Sequence, residues 1–169
     1  MTGAPSTRPL RDMLVIALPS VVTMSSYTVM QFMDGMMVSR ISPPSPIYVA
    51  AQGNGGMAMF MPLSFLMGVF GIINTYVSQN LGADRPEQGS PYAWTGLWMS
   101  VVGGLSMLGF GLLLPTIFGM LDHDPELERL EVAYAQILCA GAVLTLSTRS
   151  IAHYFYGLHR PMTVMVAAL

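Results

Sequence analysis

Two long runs, residues 47–77 and 92–121, contain no Asp, Glu, Lys or Arg. A helix rises 1.5 Å per residue, so roughly 20 residues cross a hydrocarbon core of about 30 Å, and each run exceeds that length. Two further windows, 10–38 and 127–156, are nearly as apolar and keep their charges close to their ends. With 9% charged and 53% hydrophobic residues, against about 25% charged in an ordinary soluble domain, the chain has little with which to face water. The expectation is an all-α transmembrane protein, multi-pass and embedded in a lipid bilayer, with spans at 10–38, 47–77, 92–121 and 127–156. The second window is too long for one straight span, so a tilt or an extension beyond the bilayer is expected. A fifth apolar run, 162–169, is too short to cross, and on this ground the chain is expected to be truncated.

The breaks between windows carry turn chemistry. "SRISPPSP" sets prolines at 43, 44 and 46, which ends the first helix in an extended connection. "NLGADRPEQGSP" reads as a short solvated loop. In "LDHDPELE", Asp124 is a good N-cap and Pro125 suits the first helical position, with Glu126 and Glu128 at the positive end of the helix dipole. If the N-terminus is cytoplasmic, Arg8, Arg11, Arg85, Arg149 and Arg160 fall on or near the inner side, and Arg40 and Arg129 on the outer. Tyr92, Trp94 and Trp98, with Tyr154, Phe155 and Tyr156, then share the inner interface. The location expected is a cell (inner or plasma) membrane.

Several function classes drop out. The cations are seven scattered arginines without a basic patch, and the net charge is -2, so no nucleic-acid partner is expected. His123, His153 and His159 lack metal-ligand spacing, and the chain has neither a phosphate-binding glycine loop nor a nucleophile elbow, so it does not read as an enzyme. Cys139 lies in an apolar segment and reads as a small buried hydrophobe.

Asp34, in "QFMDGMMVSR", is the one acid well inside a span by this reading. An unpaired carboxylate in lipid costs about 2.5–3.5 kcal/mol on insertion scales, so it faces a polar cavity, becomes protonated, or lies wet near the outer interface. Tyr27 and Gln31, seven and three residues earlier, share its helical face. Gln52 and Asn54, in "AAQGNGGM", stand at its level in an antiparallel neighbour and are candidates for lining the same cavity. Polar side chains in membrane bundles also simply hydrogen-bond neighbouring helices. Met30, Met33, Met36 and Met37 surround Asp34, and such adaptable side chains suit a promiscuous apolar surface or plain lipid contact. Pro19 interrupts the first helix as a bend or a fixed kink.

Three segments resemble one family. "LPSVVTMSSYTVMQFMDGMMVSRIS" is similar to the first helix of the multidrug and toxic compound extrusion (MATE) family, with its early "LP" and later "VDTIMVG.LG". "TYVSQNLGADRPEQ" resembles that family's "TLVSQ.LGAGD" at the end of helix two, and "FYGLHRPM" its "QGLG.TR.PM" between helices four and five. The resemblance implies a twelve-helix secondary transporter of two lobes, an antiporter exporting amphipathic or cationic compounds in exchange for H+ or Na+. This chain would be the partial N-lobe, lacking its C-terminal portion. Asp34 falls on the family's first-helix acid, which implies coupling to H+ or Na+ at that residue and no other cofactor. Pro19 falls on the first-helix proline linked to bending. The glycines of "MVG.LG" are Ser39 and Ser42 here. Two rival readings are a flippase for lipid-linked precursors on the same fold and a small structural or partner-binding membrane protein.

Overall fold

The computed structural model describes residues 9–168. The basic entry residue Arg8 and the final Leu169 lie outside that range. Six α-helices follow in order: α1 (Pro9–Ser39), α2 (Pro46–Gly82), α3 (Ser90–Gly119), α4 (Pro125–Ala140), α5 (Ala142–Gly157) and α6 (Pro161–Ala168), with a 3-10 turn at Pro86–Gly89 before α3. No strand occurs among the described residues. By length and apolarity α2 and α3 can each cross a membrane, and α4 with α5 makes a third crossing if the two count as one bent span. The chain is an all-α, multi-pass membrane protein. α1 has 31 residues, diluted by Ser20, Thr23, Ser25, Ser26, Thr28, Gln31 and Asp34.

The fourth window, read from the sequence as one span over 127–156, is two helices meeting at Gly141 with a bend of 46°. Gly141 supplies no side chain to stiffen the junction, and its own hydrogen bonds continue on both sides: its N–H donates to the Ile137 carbonyl at 3.2 Å, and its carbonyl accepts from the Thr145 N–H at 3.2 Å. The result is a bend with little loss of backbone pairing.

Local chemistry sets most boundaries. Ser45 caps α2, its hydroxyl accepting from the Ile47 N–H at 3.3 Å. Asp124 caps α4, its carboxylate accepting from the Glu126 N–H at 2.9 Å, with Pro125 at the first position as expected. Replacing Asp124 with Ala is expected to cost about 1 kcal/mol, read as a lower unfolding temperature in detergent. At the other helix ends Asp84, Asp122 and His159 take left-handed backbone, with φ of 57°, 52° and 56°. Asp tolerates this region better than most residues, and the turn it makes at Asp122 brings His123 back over α4.

The helices pack by small residues rather than by expulsion from water, which lipid does not provide. α3 presents Gly96, Ser100, Gly103, Gly104, Gly111 and the larger Met107, Leu114 and Phe118 as its buried face. Against it α4 and α5 set Ala135, Cys139, Ala142, Leu146 and Ser150, all essentially without exposed surface. At Gly104 a Cβ would lie 2.8 Å from the Val143 Cα, so the α3 and α5 backbones are in direct contact. The burial of Cys139 agrees with its reading as a small buried hydrophobe. From α2 come Met59, Leu63, Phe70, Ile73 and Val77. α2 to α5 thus form the bundle, while α1 lies at its margin against α2 and α6.

Two ends of the bundle can be told apart. Ser39, Pro46, Gly119 and Pro125 define one, here called the upper end; Gly82, Ser90, Gly157 and Pro161 define the lower. At the lower end Tyr76 stacks on Tyr92 with ring centres 5.1 Å apart, and the Ser78 hydroxyl donates to the Gly157 carbonyl at 3.2 Å. The aromatic opening of α3 and closing of α5 therefore share one level.

Candidate functional site

α1 carries Asp34 up to the second turn of α2. There the Gln52 side-chain amide donates to Asp34 Oδ2 at 2.6 Å. The Tyr134 hydroxyl, from α4, donates to the same oxygen at a longer 3.4 Å. Three helices thus converge on one exposed carboxylate, and both contacts are donors to its Oδ2. Tyr134 reaches across because Gly55 of α2 lets α4 approach: a Cβ there would stand 2.8 Å from the Glu131 carbonyl and 3.2 Å from the Tyr134 ring.

Not every expected neighbour joins Asp34. Asn54 does not; its amide donates instead to Glu131 Oε1 at 2.6 Å. Successive helical residues turn by about 100°, so positions 52 and 54 point well apart and only one can meet the same partner. Tyr27 lies about two turns below Asp34, under the Arg149 guanidinium, which sits 5.0 Å from the ring centre. It lines a separate cavity of about 260 Å³ between α1, α5 and α6, with Thr148, Arg149, Phe155 and Thr163 among the walls. Gln31 is exposed. The expected single stripe from Tyr27 through Asp34 is therefore split into an upper acidic site and a lower pocket with a cation on its wall.

Of the methionines around Asp34, Met30, Met33 and Met37 are exposed, and Met36 is half-buried. They form an apolar surface beside the carboxylate rather than a packed interior. Pro19 lies within α1 and leaves the helix continuous. Its carbonyl accepts a hydrogen bond from the buried Thr23 hydroxyl at 2.9 Å. A proline has no N–H to give to the carbonyl one turn earlier, so the ladder is one bond short at this level. α2 and α3 also contain internal prolines, Pro62 and Pro115, which the sequence reading did not single out.

The residue missed outright is Glu131. It is one of the charges near the start of the 127–156 window, yet it has no exposed surface. The available signal was its phase: Glu131, Ala135 and Cys139 are spaced by four, and all three are buried.

The MatE family model matches residues 19–169. The multidrug resistance protein PmpM of Pseudomonas aeruginosa is 28% identical over 163 residues, covering 95% of this chain and 33% of that protein. The probable multidrug resistance protein NorM of Chromobacterium violaceum is 25% identical over 162 residues, covering 94% of this chain and 34% of that protein. A protein of the same description from Shewanella oneidensis is 24% identical over 133 residues, covering 78% and 28%. The chain thus spans about a third of the length of the curated relatives it matches. No solved structure matches it.

Proposed function

The chain belongs to the MatE family, and from that premise we propose that it forms the N-terminal part of a secondary exporter, an antiporter that expels amphipathic or cationic compounds in exchange for a cation. The observation that carries this reading is Asp34, held by Gln52 and Tyr134 on a face otherwise lined by exposed methionines. A negative centre beside adaptable apolar side chains suits a ligand that is greasy and positively charged. The lower pocket does not, since Arg149 puts a positive charge on its wall.

The coupling ion in this reading is H+, with Na+ as the alternative. Asp34 offers one anionic group, and its two neighbours present hydrogens rather than oxygens to it, a set better matched to a carboxylate that gains and loses a proton than to a sodium ion wanting several oxygens. A proton on Asp34 removes the charge that Gln52 and Tyr134 hold. The hydrogen bonds that tie α1 to α2 and α4 then weaken, and α1 bends where Pro19 leaves its ladder incomplete. The space beside Asp34 contracts and substrate leaves outward. Alternating access requires a second lobe rocking against this one, so the rest of the transporter is the necessary partner. The membrane is the cell's inner or plasma membrane, with the N-terminus in the cytoplasm on the arginine bias.

A vesicle assay separates this reading from a flippase of the same fold. The full-length transporter, reconstituted with a proton gradient, is expected to move a cationic dye several-fold faster than empty vesicles and to leave lipid-linked sugar where it was. Movement of the lipid-linked sugar without the dye is the result that overturns it.

A further inference from the structure

Glu131 is an acid with no exposed surface, and the cycle described above makes no use of it. Its two oxygens look in different directions. Oε1 accepts from the Asn54 amide at 2.6 Å, and Asn54 is exposed on the same helix that holds Asp34 through Gln52. Oε2 lies 3.0 Å from His123 Nδ1, in the turn between α3 and α4. The His123 side chain keeps 31% of its surface exposed, while that of Glu131 keeps 0%. The acid therefore stands between water at the upper end and the face of the bundle that carries Asp34.

A fully buried carboxylate is tolerated when its charge is matched or removed. His123 matches it when the imidazole is protonated, and a proton on Glu131 itself removes the need. Either way one proton belongs to the pair, and the exposed edge of His123 is where it exchanges with solvent. The other groups around Glu131 do not offer this exchange. α2 contributes the amide of Asn54; α4 contributes Tyr134, which is committed to Asp34 of α1. Glu128 turns to Gly119 at the end of α3, and Asp124 is occupied in capping α4.

We infer that Glu131 is a second proton-binding carboxylate of this lobe, distinct from Asp34, and that His123 is its route to water at the upper end. The proton moves between solvent, the His123 ring nitrogen and Glu131 Oε2, with no other bond made or broken. Its use in transport rests on the exporter reading, but the protonation itself does not. Two acids on different helices, α1 and α4, are thereby anchored to one turn of α2 between residues 52 and 54.

Infrared difference spectra of the full-length transporter in lipid vesicles, stepped between neutral and acidic buffer, test this without a transport readout. Two protonated-carboxyl bands are expected, one removed by Glu131→Gln and the other by Asp34→Asn. Gln keeps the size of Glu and still accepts from Asn54, so the fold is expected to stand. A spectrum that Glu131→Gln leaves unchanged overturns the inference, whatever Asp34→Asn does. Loss of a band in Glu131→Gln with no band assignable to Asp34 leaves the inference in place and instead defeats the coupling role of Asp34. If Glu131→Gln does not fold, His123→Gln carries the test, because it retains the acid and removes its route. In that variant hydrogen–deuterium exchange of the Glu131 band is expected to slow about tenfold or more, and exchange at the wild-type rate overturns the inference.

Discussion

Asp34→Asn in the full-length transporter is expected to reduce proton-driven efflux to the level of empty vesicles. Asn has nearly the shape of Asp, and its carbonyl still accepts from Gln52, so the convergence of α1, α2 and α4 at 2.6 Å and 3.4 Å can persist. What disappears is the ionisation. The side chain then presents the same neutral face in every phase of the cycle, and a ligand or ion that does not distinguish two states cannot shift their populations. The loss should appear in efflux driven by a proton gradient, with the protein still eluting as a single species in detergent. Efflux at the wild-type rate would mean that coupling resides elsewhere.

The second large effect concerns the bundle itself. Gly104→Ala places a methyl group 2.8 Å from the Val143 Cα and 2.9 Å from its Cβ, a contact that no rotamer change relieves because the obstacle includes backbone. α3 and α5 must separate, and the expected destabilisation is about 1–3 kcal/mol or more, seen in detergent-induced unfolding. Gly109, on the same helix, has nothing within 4 Å of an added Cβ. Gly109→Ala therefore serves as the control, expected to be neutral or to stabilise by up to about 1 kcal/mol through helix propensity alone. Equal responses at the two positions would show that close approach at Gly104 is not what holds α3 to α5.

Much of this architecture is legible from charge and turn residues. The uncharged runs mark α2 and α3, Asp124 and Pro125 mark the start of α4, and the prolines after Ser42 mark the break before α2. The bend at Gly141 is not legible, because a glycine in an apolar run serves equally well for close packing, as Gly104 does, and nothing in "CAGAV" separates the two uses. The site divides in the same way. Asp34 and Gln52 are recognisable as partners because one level and one face bring them together. Glu131 and Tyr134 are not, because their place depends on the rotation of α4 about its axis, and that rotation is fixed by Gln136 and Cys139 meeting Gly111 of α3 and by Ala135 lying beside Gly55 of α2. Asn54 stands at the expected level, but its direction about the α2 axis gives its amide to Glu131 rather than Asp34.

The marginal position of α1 has a consequence for how such a protein diversifies. Met24, Met30, Met33 and Met37 are between 52% and 71% exposed, and they hold nothing inside the bundle formed by α2 to α5. Exchanges among Met, Leu and Val at these positions leave the glycine-lined interior untouched, because the two sets of side chains share no contacts that must be repacked. Substitutions that reshape this one surface can therefore accumulate while folding remains under separate selection. A lineage carrying this scaffold can therefore vary the apolar surface of α1 by drift, without first acquiring compensating changes in α2 to α5.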